Sequence, residues 1–282
     1  MGKSRQIIPS APSALRSFAA RTLVVIPAHN EVASVGDVIR RLRDRGFPRI
    51  RVVDNGSQDG TAQVAVQAGA EVILEPRVGY GLACWLGGLN LPADVDWILY
   101  CNGDGSDDLE ALDRFAELAP DHDFILGART DPRDLAKMSR PQRFGNWLAP
   151  TLMAIIWGRR FADLGPQRAI RVPALARLGM RDRGFGWTVE MQVRAVEEGL
   201  RIAEIPVRSY PRVAGISKIS GNLRGTIGAG VIILKTLGLL AVRKLFAPRK
   251  AIQGEAEHSR LNLVIMDGVN LPDTVKEEAN DG

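Results

Sequence analysis

Within Leu99–Asp108 an apolar run stops and five polar or acidic side chains follow: Asn102, Asp104, Ser106, Asp107 and Asp108. A strand that ends in clustered carboxylates is how an open α/β sheet offers a ligand site at the carboxyl ends of its strands. Carboxylates this close repel one another unless a cation or a hydrogen-bond network compensates. A divalent metal holding a diphosphate is one such compensation. The plainer reading is an Asn/Gly/Asp turn, with Ser106 or Asp107 capping a helix over 109–118.

A second acidic strand end is Asp54, followed by Asn55-Gly56-Ser57 and Asp59-Gly60-Thr61. Asp54 can accept hydrogen bonds from a ribose or a base edge. Backbone amides of the turn that follows can meet anionic groups. The alternative is an Asx turn with Ser57 as a helix cap. After the first strand come Pro27, His29, Asn30 and Glu31; Glu31 suits a base or ribose, or simply the first turn of its own helix. Arg77 suits a diphosphate, and Gly79 and Gly81 permit close backbone approach to a ligand. Arg129, Arg140, Arg143, Arg168, Arg208, Arg212 and Lys218 recur near expected loops, where Arg grips phosphate bidentately and Lys supplies a mobile charge. Trp187 and Glu190, three residues apart, can share a helix face that handles a sugar or an acceptor.

These residues need elements that bring them together. Strands are expected at Leu23–Ile26, Ile50–Val53, Glu71–Leu74, Trp97–Cys101 and Phe124–Gly127, alternating with helices over 35–42, Thr61–Ala68, Gly79–Leu89 and Leu109–Leu118. That alternation predicts an α/β fold, a mostly parallel sheet covered on both faces. Beyond Arg129 the pattern changes. Helices are expected at Phe144–Trp157, Val172–Leu178 and Val189–Val196, a loop or short strand at Phe161–Ile170, and a strand at Arg201–Arg208. Tyr210–Gly221 is glycine-rich and basic, a loop in character. Residues 1–20 read as a flexible segment, 21–224 as one catalytic-sized domain, 225–247 as an apolar, interfacial helix and 248–282 as a charged tail with an apolar island at Leu261–Val269.

Composition narrows the classes. The chain has 282 residues and a formal charge of +5, with no nucleic-acid-binding pattern to accompany it. Cys84 and Cys101 sit in apolar runs, as in a reduced protein, and three scattered histidines do not make a metal site. No dinucleotide fingerprint or phosphate-loop lysine motif follows the first strand, which argues against a dehydrogenase or an ATPase.

Taken in order, Ile26–Glu31, Val53–Thr61, Gly79-Tyr80-Gly81, Gly103–Asp108, Gly127-Ala128-Arg129, Asn146, Asp163–Pro166 with Arg168, Gly186–Glu190 and Ser217-Lys218 resemble family 2 glycosyltransferases of the GT-A fold, in the dolichyl- or polyprenyl-phosphate branch. The resemblance covers about residues 20–245. It implies a Rossmann-like sandwich and inverting transfer of a hexose from a nucleoside diphosphate sugar to a polyprenyl phosphate, with Mg2+ or Mn2+. Pro27, Asn30, Glu31 and Asp54 would contact the nucleoside, alongside Asn55, Gly56, Ser57, Arg77, Gly79 and Gly103. Asp104 would be the last carboxylate of the metal motif, with Asn102 and Ser106 as further oxygens. Arg129 and the Arg212–Lys218 loop would meet phosphates. Asn102 departs from the motif's usual Asp and brings no charge. Gln167 stands where Phe is common. For an alcohol acceptor, Asp163 or Glu190 would be the base. The alternatives are a soluble alcohol acceptor and a catalytically weakened sugar-nucleotide-binding protein. A nucleotidyltransferase would want a basic phosphate loop after the first strand, which Pro27–Glu31 does not supply. The implied location is the cytoplasm, with peripheral contact at the cytoplasmic face of a membrane as a further expectation.

Overall fold

The computed structural model describes residues 13–133, 140–165, 167–213 and 223–246. Lys218, Ser217, Pro166 and the Leu261–Val269 island lie outside the described residues.

Seven strands, β1 (Thr22–Ala28), β2 (Arg49–Asp54), β3 (Glu71–Leu74), β4 (Trp97–Tyr100), β5 (Phe124–Ala128), β6 (Arg168–Arg171) and β7 (Ile202–Pro206), form one sheet in the order β3-β2-β1-β4-β6-β5-β7. Only β6 runs against its neighbours β4 and β5; the other pairs are parallel. The expected mostly parallel sheet is therefore present. The expected loop or short strand over Phe161–Ile170 resolves into β6, which splits the parallel set.

Both faces of the sheet are covered, and the strands' two-residue period assigns their side chains. Val24, Ile26, Val52 and Leu99 join one core with α1 (Ser13–Ala20), α2 (Val35–Asp44) and α5 (Leu112–Leu118). Val25, Ile98 and Tyr100 join the opposite core with α4 (Tyr80–Gly87), α6 (Arg140–Trp157), α8 (Trp187–Glu197) and α9 (Leu223–Phe246). The remaining helices, α3 (Thr61–Gln67) and α7 (Val172–Leu178), follow β2 and β6.

Three expectations need correction. Residues 13–20 of the segment read as flexible form α1, with Leu15, Phe18 and Ala19 buried. Phe18 stacks edge-on against Trp97 and Phe47 at centroid distances of 5.5 and 6.2 Å. β1 continues through Pro27 to Ala28, where a break was expected. Its ladder with β4 ends at Val25, so the missing N–H of Pro27 costs no bond on that side. Finally, neither Ser106 nor Asp107 caps α5, which begins at Leu112 after Ala111.

Phe18→Ala should lower unfolding free energy by about 3–5 kcal/mol in a denaturant titration, as for large core truncations. A change within about 0.5 kcal/mol would mean that α1 is not part of the folded core.

Candidate active site

β1 pairs with β2 on one side and β4 on the other, so the chain order turns in opposite directions from β1. Such a switch point opens a crevice at the strands' carboxyl ends. Asp54 ends β2 beside Ala28, and Asn102–Asp104 follow β4 on the other flank. The two acidic ends expected to share a cleft are thus set either side of one strand tip.

The β1 and β2 loops are bound together by hydrogen bonds. Asn30 N donates to Ser57 Oγ at 2.9 Å, Gln58 N to Asn30 Oδ1 at 2.8 Å and Glu31 N to Thr61 Oγ1 at 2.8 Å. Asn30 adopts φ 52°, a left-handed conformation that Asn tolerates better than most residues. Ser57 therefore braces Asn30 and does not cap α3, whose N-cap is Gly60. Asp54 is buried, and its Oδ1 accepts from Ser57 N, three residues on, at 2.8 Å. Asp59 and Thr61 were read only as part of a turn, yet they hold this loop: Asp59 accepts from the backbone of Val32 and Thr61.

The third loop departs from expectation. Asn55 uses its side-chain amide to bridge Arg77 O and Gly79 N. Arg77 is clasped by Glu75, Nε and Nη2 each at 2.8 Å, and that guanidinium holds the Glu75 carboxyl below its ordinary range. A Cβ on Gly79 would lie 2.9 Å from Arg183 O, and one on Gly81 2.7 Å from Gly184 O. The close approach these glycines permit is to the chain's own 183–184 loop. Likewise a Cβ on Gly56, at φ 77°, would meet Pro76 O at 2.9 Å. Gly103 sits against Ile26 and Glu31, and Pro27 pairs in β1.

Asp104 is at the centre of the site and only 7% exposed. Its Oδ1 accepts from Ser106 N at 2.9 Å and Ser106 Oγ at 2.6 Å. Its Oδ2 accepts from Arg212 Nη1 at 2.7 Å, while Arg212 Nη2 donates to Glu31 Oε1. The Arg212 segment is pinned over the β4 loop by Tyr210 N donating to Ser106 O at 2.9 Å and Val213 N donating to Asp104 O at 3.2 Å. Gly105, at φ 76°, makes this possible, since a Cβ there would lie 2.9 Å from Val213 Cγ2.

Asn102 does not face Asp104 in these contacts. Its N and Nδ2 donate to Asp107 at 2.6 and 3.3 Å. Burial, reinforced by the Asp104 charge, raises the Asp107 carboxyl to about 7. Next to it lies a polar cavity of about 30 Å3 lined by Asn102, Asp107, Arg129, Gln167 and Arg208 among others. That is water-sized, far below the volume of a sugar. Gln167 donates to Asp108 O at 2.8 Å, and its buried Oε1 has no hydrogen-bond partner among the described residues. The sequence pointed to Gln167, which stands where Phe is common, as a change in the acceptor or sugar wall.

Two expected bases are engaged elsewhere. Asp163 is fully buried and pairs with Arg129, Nε at 2.7 Å and Nη2 at 3.0 Å. Glu190 accepts from the backbone of Arg181 and Asp182 at 3.0 and 2.7 Å and pairs with Arg194. It anchors the loop before α8. Arg168 is also structural: it is wholly buried and donates to Thr188 O and Gly165 O.

Among the described residues no three His, Cys, Asp or Glu side chains gather as a metal cage. The site still fits a Mg2+-type ion, which takes one or two carboxylates and completes its shell with substrate phosphates and water. Asp104 Oδ2 faces a cationic group, the Arg212 guanidinium.

Fold and site together define a GT-A, Rossmann-like sandwich with an acidic crevice at its strand tips. The chain belongs to glycosyl transferase family 2, whose sequence profile matches residues 23–178. An uncharacterised glycosyltransferase of Mycobacterium tuberculosis is 38% identical over 212 residues, covering 72% of this chain and 92% of that one. An undecaprenyl-phosphate mannosyltransferase of Micrococcus luteus is 29% identical, covering 78% and 95%. The solved structure of glucosyl-3-phosphoglycerate synthase from M. tuberculosis with Mn2+, uridine diphosphate and phosphoglyceric acid superposes with a TM-score of 0.57. It is 19% identical and covers 79% of this chain and 80% of that one. The expected polyprenyl-phosphate acceptor is corrected by this structure, in which the same fold accompanies a small soluble phosphoglyceric acid. Among the described residues no helix is long and apolar enough to cross a membrane.

Arg212→Met should tighten Mn2+ binding to the ligand-free protein severalfold in a calorimetric titration, because it removes the cation that competes for Asp104. Unchanged or weaker Mn2+ binding would mean that the guanidinium does not occupy the metal's place.

Proposed function

We propose that the protein transfers a sugar from a nucleoside diphosphate sugar to a hydroxyl group of a small soluble acceptor, with Mg2+ or Mn2+ at Asp104. The observation that carries this reading is the pair of buried acidic strand ends, Asp54 and Asp104, flanking the β1 tip with a cationic group already on Asp104.

With Oδ1 engaged by Ser57, Asp54 would offer Oδ2 to the ribose or base, and the braced Asn30–Glu31 turn would wall the nucleoside. Asp104 would hold the metal, which supplies charge neutralisation at the departing diphosphate. Arg212 would leave Asp104 for the diphosphate oxygens, so that the carboxylate exchanges one cation for another and is never left unpaired. Because the cavity beside Asp107 is water-sized, the 207–213 segment must lift for the sugar to enter. Gln167 Oε1 and the Arg208 side chain then face the incoming hydroxyls. The likeness in fold to an enzyme solved with Mn2+, uridine diphosphate and phosphoglyceric acid supports the donor, the metal and the soluble acceptor.

The test is release of nucleoside diphosphate from UDP-glucose or GDP-mannose with Mn2+, comparing 3-phosphoglycerate and related hydroxy acids with polyprenyl phosphate. Turnover with a soluble acceptor is expected; turnover only with the polyprenyl phosphate, or donor binding without release, overturns the reading. Asp104→Asn should lower kcat by roughly 10²-fold or more, in the range for loss of a group that stabilises a developing charge. Near-normal turnover in that variant would remove Asp104 from the chemistry. Gln167→Met should raise the KM for donor or acceptor, measured by initial rates, and lower stability by about 1–3 kcal/mol through the Asp108 carbonyl it leaves unpaired. A KM equal to that of the parent protein would make Gln167 structural.

A further inference from the structure

The α6 and α9 helices are apolar on two faces. In α9 the inward face places Thr236, Leu237 and Leu240 in the core. The opposite face carries Val231, Leu234, Leu239, Val242 and Leu245 at spacings of mostly three, all exposed. In α6, Ala149, Met153 and Trp157 point inward, whereas Phe144, Trp147 and Ile155 are 59, 53 and 75% exposed. Ten of the sixteen exposed large apolar side chains among the described residues lie on these two helices. Scattered single exposures are ordinary, but a contiguous patch marks an interaction site.

Both helices rest on α8 and on each other. Lys244 Nζ reaches Ile156 O and lies 5.6 Å from the Trp157 ring, so their C-terminal ends are side by side. The outward stripes therefore turn away from the same supporting layer. Phe144 and Trp147 form an aromatic pair, with centroids 6.0 Å apart, at the other end of α6.

Charge selects the occupant. Residues 140–160 hold four arginines and residues 223–250 hold six arginines and lysines, with no Asp or Glu in either stretch. A second copy docking on this face would set like charges against one another, with no Asp or Glu on either helix to pair them. An anionic lipid surface complements both properties. Apolar side chains sink to the acyl boundary, aromatic rings sit at the headgroup level, and basic side chains meet lipid phosphates. Lys235, within the exposed face, can extend its stem along the apolar surface and keep its charge at the headgroups.

We infer that the outward face of α6 and α9 docks flat on an anionic membrane surface, with the helices lying in the interface and not crossing it. The lipid is here a platform and not the sugar acceptor.

The test is co-sedimentation of the full chain with phosphatidylcholine vesicles, with and without a third of phosphatidylglycerol. Binding is expected to the anionic vesicles only, with a blue shift of Trp147 fluorescence that Trp147→Phe reduces. Leu239→Glu and, separately, Lys235→Glu should each weaken binding roughly tenfold, as lost apolar insertion and reversed charge at the headgroups predict. Thermal unfolding of these exposed-site variants should match the parent protein. Equal binding to both vesicle types, or full binding by both variants, overturns the inference. So does a dimer in light scattering that Leu239→Glu dissociates, which would make the face a contact between copies. Each readout is independent of turnover, so its failure leaves the transferase reading standing.

Discussion

The site depends on one guanidinium shared by two carboxylates. Asp104 and Glu31 come from the loops after β4 and β1, and Arg212 comes from the segment after β7. Removing one partner from a buried ion pair typically costs about 3–5 kcal/mol, because the remaining charge is left without compensation. The cost is smaller here, since the Arg212 side chain is 23% exposed. Even so, Asp104 sits directly against a cationic group in the free protein, the Arg212 guanidinium. In the proposed function a metal-bound diphosphate would take that place. The segment that carries Arg212 is bonded to the β4 loop, and its Val207, Arg208 and Ser209 line the water-sized space beside Asp107.

Most of the surrounding hydrogen bonds serve to hold loops at fixed positions. Asn55 spans to the third loop, Ser57 and Thr61 hold the first, and Asp163 fixes Arg129 at the cavity wall. These side chains were legible as functional because their types and spacing suit ligands. Several of them act instead on the chain's own backbone. A sequence cannot separate the two, because a carboxylate or an amide that accepts from a loop N–H has the same chemistry as one that accepts from a ribose.

The alternation of strands and helices made the parallel sheet readable up to β5. Each buried strand there is a short apolar run bounded by turn residues, a pattern set by local physics. What followed was less legible. β6 carries Arg168 and Arg171 and gains its strand character only from pairing between β4 and β5. α1 was taken for a loose segment because its Ser and Arg residues mask three inward side chains, Leu15, Phe18 and Ala19. Glu190 looked catalytic beside Trp187, yet two backbone N–H groups in the loop before α8, those of Arg181 and Asp182, claim it. The contact between Arg212 and Asp104 spans 108 positions of sequence, and no local pattern reports a contact of that range.

The most direct measurement is a crystal structure of the protein with Mn2+ and a nucleoside diphosphate. The account predicts the ion on Asp104 Oδ2, bridging to the diphosphate, with Arg212 withdrawn from its 2.7 Å contact with that oxygen and turned toward the phosphates. An ion bound away from Asp104, or a diphosphate bound while Arg212 stays on both carboxylates, would contradict it.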